Sequence, residues 1–262
     1  MLRLRLKYEK QGPIRFASHR DLMRVFRRSL ASAEIPVSFS QGFNPHPRFS
    51  FGPSLRTGWE SRDEYLDVLL DAPVSGLAAR CNAHLPEGLR IVESAEVSAS
   101  VPKLAADVTG ARYEIYLSER DAYEPGPDAP VAWLEKLSRE RWTDGTMRRR
   151  RVLDALAAEL MARFGAAGPS GSNGERGEPR PPVVLEVRAA ETAGATDTQV
   201  MIEYLSTMHG GKSLFPEDIL TPILGEPANY ATPIRVVRGA LYVERGGRYV
   251  SPSSREALEI EQ

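Results

Sequence analysis

Apolar and basic side chains alternate from the start of the chain. Leu2, Leu4 and Leu6 alternate with Arg3, Arg5 and Lys7, the period of two that predicts a half-buried strand over about residues 1–9. Gln11-Gly12-Pro13 interrupts it. The period then becomes helical. Leu22, Val25, Phe26, Ser29, Leu30 and Ala33 share one face, and Arg20, Arg24, Arg27 and Arg28 share another. Ser18 is a suitable N-cap, and Asp21 completes a variant capping box. The helix should end before Pro36. Strands are expected at 37–39, around Phe49, Phe51 and Leu55, at 65–70 and at 89–97, with a short helix over 74–83. The order β-α-β-β-α-β describes a ferredoxin-like unit, its hairpin built around Asn44-Pro45-His46-Pro47.

The second half repeats this order more loosely. Residues 111–117 alternate as a strand. Helices are expected over 129–140, with Trp133, Leu134 and Leu137 inward, and from about 152 to 164 through Leu153, Leu156, Leu160 and Phe164. Residues 165–182 hold five Gly and four Pro in 18 positions, which cannot build a core and predict a flexible insertion. Strands follow at 182–188 and 199–205, a short helix begins near Pro216, and a last strand covers 234–244 before a Gly246-Gly247 turn. The expected fold class is α+β: tandem ferredoxin-like (βαββαβ) units, with antiparallel sheets and helices on one face. Their expected bounds are residues 1–105 and 106–252, followed by a frayed tail over 253–262.

Composition narrows the function classes. The chain has 262 residues, 42% hydrophobic and 26% charged, as expected of a globular protein with one large or two modest domains. No apolar run approaches the roughly 20 residues of a membrane span, so no membrane partner is expected. Residues 1–6 lack the apolar core of a signal peptide, so a cytoplasmic location is expected. Cys81 is the only cysteine, which excludes an intrachain disulfide, a zinc knuckle and an iron–sulfur cluster held by this chain alone. The net charge of −1 hides an asymmetry: residues 1–60 carry 11 Lys and Arg against 4 Asp and Glu. A basic segment on a near-neutral chain points to an anionic partner, or else to a solvated surface.

Two motifs carry the candidate chemistry. Ser18-His19-Arg20-Asp21 opens the first helix, where free N–H groups can meet a phosphate. Arg15 lies just before it. His19 has the right chemistry for a general acid or base; a cap with His19 packed beside it explains the same residues. The second motif is Gln41-Gly42-Phe43-Asn44-Pro45-His46-Pro47-Arg48. Two prolines fix the backbone around His46, so the loop is preorganised. Phe43 can stack on a base and Arg48 can meet a phosphate; the other reading is a rigid connection with Phe43 in the core.

The sequence also holds weaker signals. His19 and His46 with Asp21 or Asp67 could converge on a metal, but no short ligand spacing supports it, and no metal is expected. Cys81 reads as an inert core residue. Gly210-Gly211-Lys212-Ser213 lacks the first glycine of a phosphate loop, having Ser206 in its place, so an NTPase is rejected. Arg148-Arg149-Arg150-Arg151 fits nucleic-acid contact or a solvated run equally.

Taken together, Arg15, Phe16, Ser18, His19, Asp21, Leu22 and Arg24, then Gly42 to Arg48, then Gly58, Ser61, Glu64, Tyr65 and Asp67 resemble the radical SAM-linked proteins, a domain of unknown function numbered 2344. The resemblance is specific over residues 8–70 and weaker to about residue 243. Members of that family occur fused to a radical SAM protein or encoded near one, and also near ribonuclease E/G and ribosomal-protein genes. The resemblance therefore implies an RNA or ribosome-related substrate and a radical SAM partner. This chain has no Cys-x-x-x-Cys-x-x-Cys cluster, so no cofactor is expected in it; a partner would bring S-adenosylmethionine and an iron–sulfur cluster. The leading expectation is an accessory protein, more a binder than an enzyme, that binds RNA through Arg15, Ser18, His19, Arg20, Arg24, Phe43, Asn44, His46 and Arg48. The alternatives are a protein adaptor for a radical SAM enzyme and a metal-independent RNA-processing enzyme using His19 or His46.

Overall fold

The computed structural model describes residues 1–118, 184–193, 198–208 and 235–259, with isolated residues between 154 and 165 and between 214 and 219. The expected helix over 129–140, the insertion over 165–182, the Arg148–151 run and the Gly210–Ser213 run lie outside the described residues, apart from Gly165. The chain divides into two compact units, Met1–Ala111 with Val237–Gln262, and Arg112–Val236.

The first unit begins with β1 (Leu2–Lys10), a 3-10 turn (Gly12–Phe16) and α1 (His19–Ser32). β2 (Phe49–Phe51), β3 (Glu60–Leu70), α2 (Leu77–Asn82), β4 (Leu89–Glu96) and α3 (Leu104–Asp107) follow. β5 is Val108–Ser118, β6 Val184–Ala193, β7 Thr198–Thr207, β8 Arg235–Arg245 and β9 Arg248–Val250; α4 is Arg255–Leu258. α1 forms where the helical period predicts it, with Leu22, Phe26, Ser29 and Leu30 buried.

The expected tandem of ferredoxin-like units does not form. The strands of the described residues make a mixed nine-stranded sheet in the order β4-β1-β3-β8-β5-β7-β6, with β2 on β3 and β9 on β8. β1 pairs antiparallel with β3 and β4, and β2 antiparallel with β3. β8 then joins the same edge of β3 in parallel, through Glu60↔Val237 and Ser61↔Arg238. That parallel pair is the physical reason for the correction. A strand late in the chain completes the first unit instead of closing a second copy of it. In the second unit β6 and β7 form an antiparallel pair. Arg112 of β5 binds Glu203 at 2.6 Å and Glu186 at 3.1 Å, and Tyr113 stacks on Tyr204.

Both faces of β1 are buried, not one. Leu6 and Tyr8 pack with Leu66, Val68 and Leu70 of β3 beneath Phe26 and Leu30 of α1 and Cys81 of α2. On the other face Arg5 is 1% exposed. Its guanidinium and that of Arg3 both bind Asp67, at 2.8 and 2.6 Å. Arg3 also donates to the Val101 carbonyl and Arg5 to the Pro252 carbonyl. Lys7 pairs with Asp63 at 2.8 Å, and Asp63 accepts the Tyr65 hydroxyl and the Leu241 N–H. The basic half of the alternation is thus neutralised by β3 and covered by later chain. Towards the C-terminal end Ser254 caps α4, and Leu258 packs on Val97 and Val101.

Removing one partner from such a buried ionic group strands the others. Asp67→Asn is expected to destabilise the protein by about 3–5 kcal/mol, read as a fall in the urea unfolding midpoint at constant m-value.

Candidate functional site

The start of α1 is closed by its own side chains. The Ser18 hydroxyl accepts the Asp21 N–H at 3.2 Å, while the Asp21 carboxylate takes the Ser18 hydroxyl at 2.6 Å and the Ser18 N–H at 3.2 Å. These bonds from Ser18, with Arg24 nearby, hold Asp21 below the usual carboxylate range. Asp21 therefore supplies the negative charge that a helix N-terminus attracts. Arg15 pairs with Glu60 at 3.2 Å and lies over the Phe16 ring. Arg20, Arg24, Arg27 and Arg28 are exposed along one side of α1. Arg24 pairs with Asp21 at 3.2 Å; Arg20, Arg27 and Arg28 make no ion pair with any described residue.

His19 leaves that stripe. Its ring meets Phe51 edge-on, 4.9 Å between centroids, at the mouth of a concave site lined by Tyr8, Lys10, Phe51, Pro53 and Glu64. The space it encloses is about 10 Å³, room for about one water. Lys10 is 0% exposed, and its ammonium donates to the Ala17 carbonyl at 3.0 Å. Glu64 has both oxygens taken by Arg238, at 2.7 and 2.5 Å, and Arg238 also donates to the Pro53 carbonyl. Burial pulls the Lys10 pKa down, against the pull of the Glu64 charge and with the help of Arg238. Burial, with Glu64 close by, pushes the Tyr8 hydroxyl well up.

The proline-rich loop is a closed tip. Ser40 N–H donates to the His46 carbonyl at 2.8 Å, His46 N–H to the Ser40 hydroxyl at 3.0 Å, and Arg48 N–H to the Ser38 carbonyl at 2.9 Å. Gly42 has φ +132°, a conformation that L side chains rarely adopt. Phe43 is 107% exposed, so it is not tucked into the core; Asn44 and His46 are exposed too. Arg48 reaches the Met1 sulfur at 3.4 Å, beyond the opposite end of β1 from Lys10. Among the described residues no hydrogen bond, ion pair or ring contact joins this loop to Arg15, Ser18, His19, Arg20 or Arg24.

The carboxylates that a metal site with His19 and His46 would use are engaged elsewhere, Asp21 on Ser18 and Asp67 on Arg3 and Arg5. Among the described residues no group of three His, Cys, Asp or Glu could hold a metal ion. The Cys81 thiol is buried and pushed up to about 11 by burial, which leaves it protonated at neutral pH. Sequence reasoning missed Lys10, Tyr8, Glu64 and Arg238. One signal was there: Lys10 has the inward parity of Leu2, Leu4, Leu6 and Tyr8.

The chain belongs to the family described as "Uncharacterized protein conserved in bacteria (DUF2344)", whose profile matches residues 3–156. That span contains Lys10, His19, the loop and Glu64, and ends before Arg238. No curated protein matches the chain. Among solved structures, the crystal structure of an unknown protein from Galdieria sulphuraria is similar over 79% of this chain and 82% of that one, at 12% identity and a TM-score of 0.23; so low a score supports no functional argument. No helix among the described residues is long and apolar enough to cross a membrane.

Two outcomes follow from this geometry. Ser18→Ala should cost about 1 kcal/mol in urea unfolding through loss of the cap. Lys10 has a folded pKa below its unfolded value, so the unfolded chain binds more protons between the two. The buried ammonium's penalty is full below the folded pKa and is relieved as pH rises towards the unfolded one. Lys10→Met should therefore be at least as stable as the wild type at pH 7, with the difference shrinking at pH 10.

Proposed function

We propose that this protein is a non-catalytic accessory factor that binds single-stranded RNA on the arginine side of α1, and that a radical SAM enzyme is its functional neighbour. The observation that carries the RNA reading is the exposed row Arg20, Arg24, Arg27 and Arg28, three of them without an ion pair among the described residues. Such a row tracks phosphates by charge. Phe16, 61% exposed and directly before the helix, offers a face on which a base can stack. Phe43, Asn44, His46 and Arg48 extend the reading to a second contact on the loop. The family resemblance over residues 8–70 supports the RNA and radical SAM context.

A specific observation also favours the adaptor reading. A phenylalanine as exposed as Phe43 at the tip of a braced loop suits an anchor for a protein partner. The two readings are separable. Capture of a radical SAM protein that survives nuclease and is lost in Phe43→Ala would favour the adaptor.

RNA recovered after crosslinking in the native cell should be lost in an Arg27→Ala/Arg28→Ala variant. In vitro that variant should bind weakly, with the log–log salt slope reduced by about 0.7 for each phosphate contact removed. The His46→Ala/Arg48→Ala variant should weaken binding without unfolding the chain. Unchanged affinity in both variants would sink the RNA reading. RNA cleavage lost in His19→Ala with binding retained would make the protein an enzyme instead.

A further inference from the structure

Phe16 stands in solvent at the end of a turn that is pinned from several sides. The ring is 61% exposed, while Ile14 and Ala17 around it pack against the core beneath α1. At the start of the turn the Gln11 N–H donates to the Gly88 carbonyl at 2.7 Å, and the Gly12 N–H to the Glu60 carboxylate at 3.1 Å. At its end the Lys10 ammonium donates to the Ala17 carbonyl, and the Gly58 N–H to the Arg15 carbonyl at 2.9 Å. The ring is also backed on one face. The Arg15 guanidinium lies over it, 4.8 Å from its centroid, and is tethered to the buried Glu60 carboxylate at 3.2 Å. A phenylalanine this exposed buries little area of its own, yet its backbone and one face are fixed. It has the form of half a stack.

We infer that the open face of Phe16 is a subsite for one unpaired nucleobase, stacked on the ring with Arg15 behind it. The inference rests on the RNA reading above and makes it specific at one nucleotide. Because the guanidinium holds one face, the ring takes a single base and does not wedge between two. The base must be unpaired, since bases inside a duplex are covered by their neighbours. Its identity matters less, because every base offers a π-face. Charge favours a nucleic acid over an apolar protein side chain as the occupant: Arg15 lies on the ring itself, and the exposed Arg20 and Arg24 follow in the first turns of α1. The turn is ordered before the base arrives, so stacking costs little further chain entropy. The N-terminus of α1 is not part of the subsite, because Asp21 already occupies it.

The test is anisotropy titration of the full chain into a short, labelled RNA strand of mixed sequence, alone and annealed to its complement, over a range of salt. Phe16→Leu keeps an apolar side chain and removes the ring. It should weaken single-strand binding at least about fivefold, the low end of what one stacked base contributes. Its log–log salt slope should stay at the wild-type value, because no phosphate contact is lost. Phe16→Trp should bind at least as tightly as the wild type, and Phe16→Leu should leave the duplex affinity unchanged. Single-strand affinity that is unchanged in Phe16→Leu but falls in Arg27→Ala/Arg28→Ala overturns the subsite and leaves the RNA reading standing. Equal losses on strand and duplex in Phe16→Leu also overturn it, since the ring would then not be reading an unpaired base. No binding of the strand by the wild type overturns both. Should Phe16→Leu fail to fold by circular dichroism, Phe16→Trp decides, and a fall in its single-strand affinity overturns the subsite.

Discussion

β3 brings four carboxylates, Glu60, Asp63, Glu64 and Asp67, into the interior of the first unit. Arg15 pairs with Glu60, and the rest of that unit is arranged to neutralise the other three. Arg3 and Arg5 answer Asp67, Lys7 answers Asp63, and Arg238 answers Glu64. Three of these cations come from β1, the antiparallel neighbour. The fourth comes from β8, 174 positions away in sequence. Buried charges are tolerated only with partners of good geometry. The register of β1 against β3 and the return of β8 to β3 are therefore fixed together, since a one-residue slip would turn each basic side chain to the wrong face.

The local elements were largely legible. The switch from a period of two to a helical period placed β1 and α1, and the Ser18–Asp21 box marked the start of the helix. The assembly was not legible, because it depends on long-range pairing that leaves no local trace. Arg3, Arg5 and Lys7 read as the solvated side of a strand, and nothing near them announces Asp63 and Asp67. Val236, Val237 and Arg238 read as one more strand of a second unit, whereas β8 pairs beside Glu60 and Ser61. The site was half legible for the same reason. His19 could be found from its motif. Lys10 looked like the end of a strand, and its relation to Glu64 and Arg238 exists only after folding.

The three candidate features differ in rigidity. His19 and Lys10 are held by the packed core beneath α1, so their geometry is preorganised. The arginines of α1 stand in solvent on long side chains and suit a partner recognised by charge more than by shape. The loop from Gln41 to Arg48 combines the two, an exposed aromatic on a backbone braced by Ser38 and Ser40. A single ligand need not engage all three, and no described contact links the loop to the start of α1.

The return of β8 also bears on synthesis. Glu64 leaves the ribosome long before Arg238 is translated, and the 125 residues of the second unit, Arg112–Val236, come in between. At about 5–20 residues per second that interval lasts roughly 6–25 s. Throughout it the nascent first unit carries Glu64 without the arginine that binds both of its oxygens in the folded protein. During those seconds the edge of β3 near Glu60 is also unpaired, so the N-terminal portion should emerge as a client for chaperones. It becomes a finished unit only when the last strand arrives.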